Sequence, residues 1–164
     1  MLDYLDTVGI IGWIVFHFWQ LSSNASDDRG WYNRGKARVN CAPPGYVFGL
    51  VWFLLYSLLS VSAILFFRNT TNYDAVFILW VVNIMLNKLW SVLFFDTGRI
   101  KVSLAVAVAM LGTQIAIIVL IAVDGLSEVE RWFPFATFIV YSLWLLVAIY
   151  LNAQWVAKKL PIKR

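Results

Sequence analysis

Residues 43–56 read PPGYVFGLVWFLLY, and the fold turns on how this stretch is read. Two prolines and a glycine punctuate the chain, and an unbroken apolar helix is expected to begin there. Phe48, Trp52 and Tyr56 follow one another at intervals of four, so three aromatic rings stand roughly in line on one helical face. Lipid contact does not ask for such a line, because Leu and Val serve it as well. The stripe is either a helix-packing seam or one wall of an aromatic-lined pocket. On this segment alone, packing is the more ordinary reading.

The surrounding composition says what medium the helix sits in. The chain has 164 residues, of which 62% are hydrophobic, 17% aromatic and 13% charged, and its mean hydropathy is +0.77. A soluble domain carries about 25% charged residues, so an integral membrane protein is expected, folded as a single domain over 1–164. A lone cysteine, Cys41, excludes an intrachain disulfide, and a lone histidine, His17, excludes the usual multi-histidine metal or haem site. No metal and no required cofactor are expected. The net charge of +4 does not point to nucleic acid, because topology accounts for its distribution.

Five apolar runs, 4–22, 45–67, 75–95, 102–123 and 132–157, are each near the ~20 residues that cross a bilayer. The expected fold is therefore an all-α, five-transmembrane-helix bundle with one long loop at 23–44. Arg29, Arg34, Lys36, Arg38, Arg99, Lys101, Lys158, Lys159, Lys163 and Arg164 then share one side, against Arg68 and Arg131 on the other. Ten cations against two place the 23–44 loop and the C-terminus in the cytosol. The acidic start, Met1 to Asp6, does not read as a cleaved signal. The sequons at Asn24 and Asn69 fall on the cytosolic side and against the membrane respectively, and neither is expected to carry a glycan.

The remaining runs sort by face. In the first, Gly9, Trp13, Phe16 and Gln20 align with His17 beside them. His17 reads as a proton carrier or ligand contact, or, more ordinarily, as a neutral imidazole bonded to a neighbouring helix. In the third, Asn83, Asn87, Trp90 and Phe94 form one continuous face. Two amides inside a membrane need partners on other helices or on a ligand. Lys88 beside them must snorkel, pair or lose its proton. The fourth run carries a small-residue ridge, Ala105, Ala109, Gly112 and Ala116, suited to packing within the bundle or between two copies. In the fifth, Tyr141, Trp144, Ala148, Asn152 and Trp155 lie along one side. Trp132 and Trp155, near the ends, read as interfacial anchors, whereas Trp144 is mid-helix and its indole N–H wants an acceptor.

Taken together, four blocks resemble the translocator protein family, also called tryptophan-rich sensory proteins or TspO. Trp31-Tyr32 resembles the family's WY pair, and 43–56 its PPxxVFxxVWxxLY segment. NKLWSVLFF at 87–95 resembles NxxWxxxFF of the third helix, and YSLWLLVAIYLN at 141–152 resembles YxxWxxxAxxLN of the fifth. The resemblance covers about 28–158 and implies a bundle that binds porphyrins or other apolar ring systems, in some members sterols. Carried over by motif, the pocket is lined by Trp52, Tyr56, Asn87, Trp90, Trp144 and Ala148 with Tyr32 in a lid, and Asn83 and Tyr141 share those faces.

On this basis the chain is expected to be a carrier or sensor of tetrapyrroles. The alternatives are a light-dependent porphyrin-degrading activity using Trp52 and Trp144, or a diverged structural subunit of a larger membrane complex. No ordinary catalytic constellation is present. Expected partners are membrane lipids, a tetrapyrrole or sterol-like ligand, and a second copy or membrane-complex subunit. The resemblance implies a mitochondrial membrane in a eukaryote. Two departures stand out: Cys41 occupies the place of the loop tryptophan, and Val140 the place of a proline before the fifth-helix tyrosine.

Overall fold

The structure is a computed structural model and describes residues 4–19, 30–68, 73–124 and 127–160. Gln20, Asn24, Arg29, Asn69, Lys163 and Arg164, to which the sequence assigned a face, sequons and cytosolic charge, lie outside the described residues. The described chain is helical throughout: α1 (Tyr4–Phe18), α2 (Gly30–Lys36), α3 (Gly45–Phe67), α4 (Tyr73–Ser91), α5 (Ile100–Val123) and α6 (Glu128–Ala157), with a π-helical turn at Val92–Asp96 continuing α4. Four of these segments, Gly45–Phe67, Asp74–Asp96, Ile100–Val123 and Glu128–Ala157, are long and apolar enough to cross a membrane. The apolar part of α1, Gly9–Phe18, is shorter.

Six helices rather than five result from α2, which the hydropathy pattern did not announce. Its sequence, GWYNRGK, has no apolar period of its own, so its helicity depends on what it docks against. Pro44 precedes α3 in an extended conformation, φ −55 and ψ 146, which ends the loop and starts the helix at Gly45. α3 then buries Phe48, Trp52, Leu55, Tyr56, Leu59, Ala63 and Phe66. Its other face exposes Leu50, Phe53, Leu54, Leu58 and Val61. A helix apolar on both faces, with one face uncovered, is a lipid-facing helix. The molecule is an integral, multi-pass membrane protein.

α1 packs on α3, α3 on α6, α6 on α5 and α5 on α4. Aromatic contacts connect α4 back to α3, with Phe67 5.3 Å from Trp80 and Trp52 6.2 Å from Trp90 between ring centroids. Near one end of the bundle Trp13 stacks on Phe67 at 4.9 Å, and fully buried Trp80 meets Phe138 edge-on at 4.6 Å. His17 is held here. Its Nδ1–H donates to the Trp13 carbonyl at 2.8 Å, and its Nε2 accepts the Trp80 indole N–H at 3.1 Å. An indole nitrogen only donates, which sets the tautomer as neutral with the proton on Nδ1. Of the two readings of His17, helix-to-helix bonding is the one observed.

Lys88 likewise finds a partner. Its Nζ donates to the Trp19 carbonyl at 3.2 Å and lies 4.8 Å from the centre of the Trp19 ring. A cation at the C-terminal end of α1 meets outward-pointing carbonyls and a π face together.

The small-residue ridge of α5 is not used inside the bundle: Ala105, Ala109 and Gly112 are exposed, and a Cβ added at Gly112 would meet nothing within 4 Å. α6 ends in a Schellman arrangement, in which Leu160 N–H bonds the Trp155 carbonyl and Lys159 N–H that of Val156. Lys159 sits in the left-handed region at φ 48, where glycine is the usual occupant.

Candidate functional site

The centre of the bundle is a hydrogen-bonded chain spanning four helices. Tyr56 on α3 donates its hydroxyl to Asn87 Oδ1 on α4 at 2.8 Å. Asn87 Nδ2 donates to the Tyr141 hydroxyl on α6 at 2.8 Å, and Tyr141 in turn donates to Met110 Sδ on α5 at 3.5 Å. All four residues are buried. Asn87 uses its acceptor and its donor on two different helices, which fixes α3 and α6 against α4.

Trp52 lies on this chain, stacked on Tyr56 at 5.5 Å and meeting Tyr141 edge-on at 5.7 Å, with Trp90 tilted against it. Ala148 is buried on the same side of α6 as Tyr141. The structure therefore brings Trp52, Tyr56, Asn87, Trp90 and Tyr141 into one aromatic layer.

Asn83 is placed differently. Its Nδ2 donates to the Met110 carbonyl at 3.1 Å and to Thr113 Oγ1 at 2.7 Å, both on α5. The two asparagines share a helix face in projection, yet one serves the α4–α5 seam and the other the α3–α4–α6 centre. Nearby, Ser142 donates to Gln114 Oε1 at 2.7 Å, and Asn152 bonds the Ser103 hydroxyl at 2.9 Å. These polar pairs hold α6 to α5.

Above the aromatic layer, Phe48 meets Trp144 edge-on at 5.5 Å, Phe95 at 6.0 Å and Tyr32 at 5.9 Å. Phe95 faces inward beside Phe94, which stacks on Trp90 at 5.6 Å and touches Trp155 at 5.9 Å. Two consecutive residues of a regular helix diverge by about 100°. The π turn at Val92–Asp96 adds a residue to the coil, and both phenylalanines pack inward there. Trp144 is half-buried, and its Nε1–H is buried with no hydrogen-bond partner among the described residues. That donor faces a desolvation cost that an acceptor would remove.

Tyr32 lies in α2, which forms a lid over this region. Its ring stacks on Trp155 at 5.3 Å and 8°, and its hydroxyl donates to the Pro43 carbonyl at 3.1 Å. Burial pushes the Tyr32 hydroxyl up to about 12, so it stays a donor at any ordinary pH. Gly35 rests directly on the Trp155 ring, where an added Cβ would collide with Cζ2.

Trp155 was expected as an interfacial anchor and is instead fully buried beneath the lid. A tryptophan near a helix end serves either role, and only the docking of α2 distinguishes them. Two further fastenings lie at the rim. Asn40 N–H donates to Gln154 Oε1 at 3.1 Å while Gln154 Nε2 donates to the Asn40 carbonyl at 3.2 Å, and Lys158 Nζ donates to the Arg38 carbonyl at 2.7 Å. Cys41, in the place of the expected loop tryptophan, is exposed. Gln154, Gly35, Phe95 and Trp155 in its lid role were not read from the sequence. Of these, only the glycine flanked by lid residues carried any local signal.

The lid predicts a measurable opening. Gln154→Ala removes two exposed hydrogen bonds worth roughly 0.5–1 kcal/mol each. Backbone amides of 32–40 are expected to exchange about tenfold faster while those of α3 hold their protection. Unchanged exchange would mean that the Tyr32–Trp155 stack and the Lys158–Arg38 bond hold the lid without Gln154.

A profile of the TspO/MBR family matches residues 7–157 of the chain. Tryptophan-rich protein TspO of Bacillus cereus is 26% identical to it over 126 residues, covering 76% of this chain and 78% of that protein. Protein CrtK of Rhodobacter capsulatus is 30% identical over 126 residues, covering 74% of each.

Proposed function

Because the chain belongs to the TspO/MBR family, we propose that it is a five-span membrane protein, with its C-terminus and the α2 loop in the cytosol. In this reading it binds a flat, apolar ring ligand of the tetrapyrrole class between the lid and the aromatic layer, as a carrier or sensor. The observation that carries the reading is the Trp144 N–H, buried beside the Phe48 ring with no hydrogen-bond partner among the described residues. An apolar, aromatic lining with very few free polar groups suits a macrocycle that offers a π face and a peripheral acceptor. The closed packing of Trp52 on Tyr56 implies that entry occurs from the lid side, with Phe48 and Trp144 moving first.

Titration with protoporphyrin, followed by quenching of intrinsic tryptophan fluorescence, tests this. Trp144→Phe keeps a ring and removes the N–H. It is expected to weaken binding about tenfold, as for a lost hydrogen bond to an ionised acceptor. Trp52→Ala is expected to weaken it at least as much. Unchanged affinity in both variants would sink the assignment.

One observation favours a second reading, a structural subunit of a membrane complex. The Tyr56–Asn87–Tyr141 chain satisfies its own donors and acceptors without any ligand. Purification as a fixed stoichiometric component, with no response to protoporphyrin, would select that reading.

A further inference from the structure

A concave feature lies at the end of the bundle where α5 begins and α6 finishes. It is an open cleft of about 620 Å3 that meets the aromatic site only at Trp155. Its floor is apolar, built from Ile100, Val102, Val156 and Leu160, and its rim carries Arg99, Lys101 and Lys159. All three cations are exposed, and among the described residues none is tied to a carboxylate. Asp96, the nearest acid in sequence, does not line the cleft. The cleft also takes in the first turn of α5, where the helix dipole favours negative charge.

Lys159 supplies an independent sign that this charge is wanted. It occupies the C′ position of α6 at φ 48, which favours glycine. A strained backbone position held by a lysine places a cation at the cleft at the expense of local stability. The floor runs out onto Val102, which is exposed on the lipid-facing surface of α5.

We propose that this cleft binds an anionic phospholipid. Its headgroup phosphate would lie among Arg99, Lys101 and Lys159, and its acyl chains along the exposed apolar surface of α5 and α6. A free phosphate would use the rim and have no use for the floor, whereas a lipid uses both. Anionic lipid is drawn to basic juxtamembrane groups, and here the groups converge on a shaped recess.

Native mass spectrometry of the full chain in detergent tests the site, titrating phosphatidylglycerol against phosphatidylcholine of the same acyl chains. Phosphatidylglycerol is expected to bind on the order of 100-fold tighter, and each single neutralisation, Arg99→Gln, Lys101→Gln or Lys159→Gln, to cost roughly fivefold. The triple variant should lose on the order of 100-fold with phosphatidylcholine binding unchanged. Arg34→Gln with Lys36→Gln, cations outside the cleft, should leave the preference intact. Lys159→Gly should raise the melting temperature in lipid-free micelles while lowering phosphatidylglycerol affinity, two effects of opposite sign that a purely structural lysine would not give. The proposal is overturned by equal affinity for the two lipids, or by a control pair that costs as much as the triple variant. It is also overturned if inorganic phosphate displaces phosphatidylglycerol at equal concentration.

Discussion

Trp80→Ala is expected to lower the stability of the bundle by about 4 kcal/mol, the range for deleting a large buried aromatic. Trp80 is fully buried, packs edge-on against Phe138 at 4.6 Å, and lies 5.3 Å from Phe67 and 6.0 Å from Trp13. It is the point where α1, α3, α4 and α6 meet. Between helices in lipid, packing contacts replace the hydrophobic drive. A void there removes attraction from every wall at once. Alanine also strands His17 Nε2, which accepts the Trp80 N–H at 3.1 Å. Trp80→Phe helps to separate the two effects, since it keeps a six-membered ring in the contact while losing the donor and the pyrrole part of the indole. It should cost about 1–1.5 kcal/mol. Reversible unfolding in mixed micelles reads both values, and equal losses for Phe and Ala would show that the ring contacts contribute nothing.

The second large effect is expected at Asn87. Asn87→Ala removes the acceptor of Tyr56 and the donor to Tyr141 together, leaving the buried Tyr56 hydroxyl without an acceptor and Tyr141 with its bond to Met110 Sδ. A loss of about 3 kcal/mol follows from two broken interhelical bonds and a small cavity. The cause can be isolated in a double-mutant cycle. Tyr56→Phe should cost about 1 kcal/mol in the native background and close to nothing once Asn87 is alanine. A cost that is the same in both backgrounds would place the stabilisation elsewhere. Because this chain lies directly under Trp52, Asn87→Ala should also loosen the aromatic layer, and protoporphyrin titration of the variant shows whether ligand affinity follows.

Much of the architecture was open to reading from the residues. The stretch at 43–56 announces α3, and the 45–67 run coincides with Gly45–Phe67. Hydrocarbon leaves the backbone no partner but itself, so a long apolar run has almost no option except a helix. The aromatic stripe of Phe48, Trp52 and Tyr56 likewise faces inward, because rings four residues apart share a face whatever they pack against. Less of the site was legible. Asn83 and Asn87 share a helix face, but whether an amide bonds to α5 or joins α3 to α6 depends on neighbouring helices. The inward packing of both Phe94 and Phe95 coincides with a π turn that no local pattern marks.

The sequence by itself determined the medium, the helices and the aromatic face of α3. Those follow from composition and period, which are local properties. Only the tertiary structure decided which apolar residues face lipid and which face the core, since in a bilayer both are equally apolar and the amphipathic signal vanishes. It alone turned Trp155 from an interfacial anchor into the seat of the lid. It also gave α2, a glycine-bearing segment with no apolar period, a helix through its contact with that ring. The stripe in PPGYVFGLVWFLLY is accordingly both a packing seam and an aromatic wall. Which role each ring plays is set by Asn87, Trp90 and Tyr141, residues 31 or more positions further along the chain from the partners they meet.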